Sequence, residues 1–181
     1  MTKTVLVVDD DPTQRRLIQA VLERDGFAVA HAQNGDEAIQ HLTSGASVDV
    51  VLLDLVMPGM SGLQVLTELR SRLETVDLPV IVVTGRSDPA AAVQALAAGA
   101  DDHVAKPFDF DVLHARIERT LARARRVTDL KRSNAALDAR IAARAMELGE
   151  ARAELADIRA DRQRLIVSLQ ALHDEVERLR T

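Results

Sequence analysis

The 181-residue sequence predicts an α/β protein in which a doubly wound, five-stranded parallel sheet is followed by a long α-helical coiled coil. Up to about residue 108, short apolar runs alternate with segments of helical spacing. Beyond it the chain contains no Pro and a single Gly, and its apolar residues repeat every seven positions. The charge also changes, because residues 1–108 carry 8 Lys and Arg against 15 Asp and Glu, whereas residues 109–181 carry 15 against 13. We expect one domain over residues 1–125 and a dimerising, signalling helix over residues 126–181.

Each predicted strand is an apolar run bounded by turn-forming or charged residues. The five strand candidates cover residues 4–9, 27–32, 48–54, 78–84 and 103–106. The segments between them carry apolar residues at helical spacing, for example Ile18, Val21 and Leu22 after the first strand. Strands that alternate with helices form a parallel sheet with right-handed crossovers and helices on both faces. The predicted architecture is flavodoxin-like.

Composition excludes several classes of protein. With no Cys, the chain has no disulfides, thiolate zinc sites or cysteine nucleophile. With no Trp, no Tyr and three Phe, it lacks the stacking surface that single-stranded nucleic acid requires. No apolar run approaches the length of a membrane span, and the amino terminus lacks the features of a secretory signal. We therefore expect a soluble, cytoplasmic protein with no membrane partner.

Polar residues with matching chemistry stand at the ends of four predicted strands. Asp9 and Asp10 follow the first strand, Asp54 ends the third, Thr84 ends the fourth and Lys106 ends the fifth. In a parallel sheet these ends share the edge at which ligands bind. Clustered carboxylates suit Mg²⁺, which is usually held by one or two carboxylates together with a phosphate. Together with a lysine and a hydroxyl they indicate phosphoryl chemistry, with Asp54 as the best-placed nucleophile.

The segments VVDDD, LLDLVMPGMSG, VVTGR and AKPF, in this order, resemble the receiver domain of two-component response regulators over about residues 3–125. The resemblance implies a regulatory protein, not an enzyme, whose Asp54 accepts a phosphoryl group from a sensor histidine kinase or a phosphotransfer protein. It further implies a magnesium site with Asp10 as a direct ligand, Asp9 acting mostly through water, and Asp54 and the backbone carbonyl of Val56 as the other ligands. Lys106, held by a cis peptide bond at Pro107, would contact the phosphoryl group or Asp54. Thr84 would be the conformational switch, because it moves to bind the phosphoryl oxygen.

One position departs from the family pattern. Receivers commonly carry Tyr or Phe where this sequence has His103. His103 is either a rotamer toggle coupled to Thr84 or a half-exposed strand residue without a switching role. Val56 and Arg86 lie at positions that, in the family, flank the phosphoryl group and influence its lifetime. Arg86 is alternatively an ordinary exposed side chain.

The second part carries an unbroken heptad pattern, which predicts a left-handed coiled coil. Its seam includes Asn134, Leu137, Ile141, Leu148, Leu155, Leu165 and Leu172, with Arg144 and Arg162 as further polar breaks. Such breaks favour a single register and two strands. Pairing of g with e′ positions would join Glu147 with Arg152, Glu154 with Arg159, and Glu175 with Arg180. All three pairs are attractive, so we expect a parallel homodimer.

Two classes of output remain open from the sequence. The first is a signalling protein in which phosphorylation changes the coil or a partner-binding surface. The second is a phosphotransfer and dimerisation fragment of a larger histidine-kinase, phosphatase or cyclase regulator, with His173 as a phosphorylation site at an e position. Because no helix-turn-helix follows residue 125 and the basic residues are interspersed with acidic ones, we expect no direct DNA binding.

Overall fold

The computed structural model describes residues 2–85 and 89–179. Within these residues five strands alternate with five helices, and the elements in chain order are β1 (Thr4–Val8), α1 (Pro12–Arg24), β2 (Ala28–Ala32), α2 (Gly35–Thr43), β3 (Val50–Asp54), α3 (Gly62–Ser71), β4 (Val80–Gly85), α4 (Pro89–Ala97), β5 (Asp102–Lys106) and α5 (Phe110–Leu179). Each predicted strand is present, and each begins and ends within two residues of its expected position. The predicted α/β fold class is thus confirmed.

All strand pairs are parallel, and the strand order across the sheet is β2-β1-β3-β4-β5. Alternate strand residues enter two separate hydrophobic clusters. One cluster joins the sheet to α2, α3 and α4 through residues such as Leu53, Leu66 and Ala95. The other joins the opposite face to α1 and α5 through residues such as Leu22 and Ile117. Helices therefore cover both faces, which explains why β3 is buried along its whole length.

Local signals fix where the helices that follow β1 and β3 begin. The Asp11 carboxylate caps α1 by accepting hydrogen bonds from the backbone N–H groups of Thr13, at 2.8 Å, and Gln14, at 3.4 Å, and Pro12 occupies the first turn. These bonds hold the pKa of Asp11 below its usual value. Ser61 starts α3 in a reciprocal capping box with Gln64. These caps end the loops after β1 and β3, so they set the lengths of the loops at the carboxyl edge.

The chain divides into two compact units between Thr128 and Asp129. Helix α5 contributes Leu113, Ile117 and Leu121 to the core of the first unit. Its second part, from Asp129, carries the predicted seam. Arg86, a predicted site residue, and Arg180, a predicted member of a g–e′ pair, lie outside the described residues. Within the described part of the chain, no helix has both the length and the apolar character needed to cross a membrane.

Candidate functional site

The carboxyl edge of the sheet gathers polar side chains from four adjacent strands. Asp54 ends β3, Thr84 lies in β4, Lys106 ends β5 and Asp9 follows β1 directly. The strand order puts β3 at the centre of this group, with β1 on one side and β4 on the other. Asp54 is 7% exposed, Asp9 is 2% exposed and Thr84 is 3% exposed. The site is therefore a set of buried polar groups at the mouth of an apolar sheet.

Lys106 links the two buried carboxylates. Its Nζ atom donates a hydrogen bond to Oδ2 of Asp9, at 2.9 Å, and another to Oδ2 of Asp54. The Oδ1 atom of Asp9 accepts a hydrogen bond from the Asp11 N–H at 2.8 Å. The Oδ1 atom of Asp54 accepts one from the Val56 N–H at 3.0 Å. Arg15 donates to the main-chain carbonyl of Asp9. Both carboxylates are thus held in fixed orientations.

The electrostatic environment affects Asp54 and Lys106 differently. Burial raises the pKa of the Asp54 carboxyl, and the bonds from Lys106 and Val56 offset this only in part. Burial alone would lower the pKa of Lys106, but its hydrogen bonds to Asp54 and Asp9 outweigh burial and raise it. Lys106 is therefore a firmly charged ammonium beside a carboxylate that is destabilised in its ionised form.

Asp9, Asp10 and Asp54 form an acidic cluster whose nearest carboxylate oxygens all lie within 4.8 Å of one another. Asp10 is exposed while the other two are buried. Among the described residues, the ammonium that contacts this cluster is that of Lys106, and its charge balances one carboxylate of the three. Oxygen ligands carrying excess negative charge suit a hard divalent cation, and three carboxylates fit Mg²⁺ with water completing its coordination.

The structure also shows the positions of Val56, Pro107 and His103, which the sequence predicted as site residues. The side chain of Val56 is 75% exposed, just beyond Asp54. The bond between Lys106 and Pro107 is a cis peptide bond. His103 lies in β5 opposite Val82 of β4 and is partly buried, and its ring Nδ1 has no hydrogen-bond partner among the described residues.

Gly62 is a residue of the site that sequence reasoning missed. In the sequence it is the last residue of the segment LLDLVMPGMSG, where no role was assigned to it. A Cβ atom at this position would lie 2.1 Å from the carbonyl oxygen of Asp54 and 2.8 Å from Cα of Leu55. The Gly62 N–H also donates to the Leu55 carbonyl at 3.2 Å. Helix α3 therefore begins directly against the backbone that carries Asp54, and only glycine leaves room for this approach. One feature of the sequence could have indicated this requirement. Gly62 stands eight residues after Asp54 at the start of a helix, where helix propensity does not call for glycine.

The model of the response regulator receiver domain family matches residues 5–118, which is more than half of the chain. The chain belongs to this family. Its receiver is 41% identical over 120 residues to the transcriptional regulatory protein ResD of Bacillus subtilis, a match that covers 66% of this chain and 48% of ResD. It is 39% identical over 125 residues to the phosphate regulon transcriptional regulatory protein PhoB of Rhizobium meliloti, covering 69% and 55%. The chain thus spans about half the length of these curated relatives.

Solved receiver structures show the same fold. The receiver domain of NtrX from Brucella abortus superposes with a TM-score of 0.61 at 32% identity, covering 65% of this chain and 98% of that one. A response regulator receiver domain protein from Clostridium thermocellum gives a TM-score of 0.65 at 32% identity, covering 69% and 98%. These matches confirm the resemblance to receivers that the sequence motifs indicated.

The predicted seam residues lie outside the receiver, in the second unit. Leu137, Ile141, Leu148, Leu155, Leu165 and Leu172 are all exposed, with fractional exposures from 49% to 67%. Asn134 and His173 are exposed on the same helix. A helix that exposes a regular apolar stripe over several heptads offers a surface for another helix.

Proposed function

We propose that this protein is a phosphorylation-dependent response regulator in which Asp54 is the phosphoacceptor. An oxygen of the Asp54 carboxylate attacks the phosphorus of a phosphohistidine on a sensor kinase or phosphotransfer protein. The new O–P bond forms as the P–N bond breaks, and the donor ring, which carries a proton on its other nitrogen, leaves as neutral imidazole. The observation that supports this best is the pair of contacts from Lys106 to Asp54 and Asp9 at the carboxyl edge of the sheet.

The other residues of the site take roles that follow from their positions. Lys106 neutralises charge that develops on the transferred oxygens, and the Val56 N–H holds the acceptor carboxylate in place. Asp9, Asp10, Asp54 and the Val56 carbonyl would hold Mg²⁺, which supplies charge neutralisation for phosphoryl transfer when bound. In this proposal the protein is regulatory and catalyses only its own phosphorylation and dephosphorylation.

Thr84 is the proposed switch. Thr84 lies in β4, the strand beside β3, and directly follows Val83, which pairs with Asp54 in the β3–β4 register. A phosphoryl group on Asp54 offers oxygens that this hydroxyl can donate to, so movement of Thr84 would report phosphorylation to the α4 and β5 side of the receiver. His103 is the proposed residue on β5 that responds, in place of the aromatic residue common in the family.

Acetyl phosphate with Mg²⁺ tests the site directly. The wild-type protein should gain one phosphoryl group, Asp54→Asn should gain none, and Asp10→Asn should react more slowly through weaker metal binding. Asp36→Asn is the matched control, because Asp36 is an exposed carboxylate at the start of α2 that is not a member of the cluster. Phosphorylation of Asp54→Asn at the wild-type rate would exclude Asp54 as the acceptor, and acid-labile phosphate on His173 in that variant would favour a phosphotransfer role for the helix.

We propose that the output passes through a parallel homodimer of the second unit. The exposed seam and the three attractive g–e′ pairs support this arrangement. Each exposed ion pair contributes little, so the apolar seam provides most of the affinity and the charges set orientation. Sedimentation of the full chain at micromolar concentration tests the dimer, and a monomeric mass there would refute it. In this proposal the receiver changes the geometry or partner binding of the coil without contacting DNA itself.

A further inference from the structure

The two arginines in the predicted seam differ in what neutralises them. Arg144, at a d position, forms an ion pair with Glu147 of its own chain at 2.7 Å. Arg162, at an a position, forms no ion pair with any residue that the structure describes. The positions three and four residues away, which an exposed helical side chain can reach, hold Ile158, Arg159, Leu165 and Ile166. Arg162 therefore has no carboxylate of its own helix within the usual pairing distance.

The nearest carboxylate in sequence is engaged elsewhere. Asp161, at the g position beside Arg162, pairs with Arg164 of the same helix. Arg164 occupies a c position, which lies outside the seam, and both members of that pair are largely exposed. Exposed pairs of this kind contribute about 0–1 kcal/mol, so Asp161 can exchange this contact for another at little cost.

Packing rules show what each arginine would meet in a second copy. In a parallel, in-register pair, an a side chain inserts into a hole formed by the preceding d and g residues, the same a residue and the following d residue of the partner helix. For Arg162 this hole consists of Ile158, Asp161, Arg162 and Leu165 of the second copy. The methylene groups of Arg162 can lie against Ile158 and Leu165 of the second copy, while its guanidinium extends toward the Asp161 carboxylate of that copy.

The hole for Arg144 has a different composition. A d side chain meets a, d, e and the next a residue, which here are Ile141, Arg144, Ala145 and Leu148. This hole contains no carboxylate. Arg144 therefore has a carboxylate partner in its own chain and none in its hole across the interface. Arg162 has no such partner in its own chain, but its hole across the interface contains one.

We infer that Arg162 of each protomer pairs with Asp161 of a second copy of this chain, giving two symmetry-related ion pairs that specify a parallel, in-register homodimer. This inference rests on the dimer proposed above. Without these pairs, two arginines would face each other in one apolar layer, and their repulsion would oppose association. A shift of register or an antiparallel alignment removes the carboxylate from the Arg162 layer, so self-pairing in one register is favoured.

A double-mutant cycle on the full chain tests the pairing. At low ionic strength, Asp161→Asn should raise the dimer dissociation constant about tenfold in sedimentation equilibrium, and the increase should shrink in high salt. Asp157→Asn is the matched control, because it makes the same change at an exposed c position and should alter the constant less than twofold. In an Arg162→Met background, Asp161→Asn should also have an effect below twofold.

The outcomes separate this inference from the proposed dimer. An equal effect of Asp161→Asn with and without Arg162 would overturn the cross-chain pair while leaving the dimer intact. A wild-type protein that stays monomeric at all accessible concentrations would refute the dimer itself, and the pair with it.

Discussion

The close approach of Gly62 to Asp54 leads to a sharp prediction for Gly62→Ala. The added Cβ would lie 2.1 Å from the Asp54 carbonyl oxygen and 2.8 Å from Cα of Leu55. Both distances are far below the ~3.5 Å at which non-bonded atoms attract, so the start of α3 must shift by roughly 1 Å or more. Overpacking of this kind costs about 1–3 kcal/mol, and the bond from the Gly62 N–H to Leu55 is worth about 1 kcal/mol. We expect a loss of about 2–4 kcal/mol in the free energy of unfolding of the receiver.

The assay must report on the receiver alone. The chain has neither Trp nor Tyr, and helix α5 adds to any far-UV signal. Hydrogen exchange of a receiver core amide, such as that of Val51 in the buried strand β3, avoids both problems. The expected loss corresponds to exchange roughly 30 to 1,000 times faster. Phosphorylation of Asp54 by acetyl phosphate should also slow, because the backbone that carries the carboxylate has to move.

Gly149→Ala provides the matched control. It makes the same chemical change at a helical position where an added Cβ meets no atom within 4 Å. It should leave the exchange of Val51 unchanged and stabilise α5 by about 0.5–1 kcal/mol. If Gly62→Ala exchanges and reacts within twofold of the wild-type protein, steric exclusion beside Asp54 is not the reason for glycine at this position.

Three other predictions concern the site and the coil. In the absence of divalent metal, burial raises the pKa of Asp54, so ionisation of this carboxyl opposes folding. The free energy of unfolding of the wild-type protein, relative to that of Asp54→Asn, should therefore fall as pH rises from about 3.9 through the raised pKa, and then level off. Urea unfolding at several pH values would show this. Thr84→Ala should accept a phosphoryl group from acetyl phosphate at about the wild-type rate but lose the change in amide chemical shifts along β5, and His103→Tyr should alter that change; an unaltered response in both variants would remove these residues from the switch. The chain has no Cys, so a single introduced Cys can form a disulfide only with its copy in a second chain. If the helices are parallel and in register, Leu137→Cys and Leu172→Cys, both at d positions, should each form disulfide-linked dimers under mild oxidation. An antiparallel pair would link neither variant to itself.

Sequence patterns predicted the strands well because each is a run of apolar residues closed by a polar residue or a turn, and period and composition are local properties. The cap at Asp11 depends on equally local chemistry, because a short carboxylate directly before Pro12 can accept from the first N–H groups of α1. The grouping of Asp54 with Lys106 followed from parallel topology, but topology alone does not say that one ammonium bridges two carboxylates. Gly62 was missed because its constraint comes from a contact between helix and strand backbones, which leaves no periodic signal in the sequence.

Helix α5 has one amino terminus, at Phe110, and runs without interruption from the receiver core into the seam. Starting a helix is the unfavourable step in its formation, since several residues must be fixed before the first hydrogen bond forms. Folding of the receiver fixes Leu113 and Ile117 in helical geometry, so the segment beyond Thr128 extends a helix that already exists. The receiver thereby acts as a template for the helix that carries the predicted seam. A peptide of residues 129–179 alone would have to nucleate this helix itself, and would need a higher concentration than the full chain to pair.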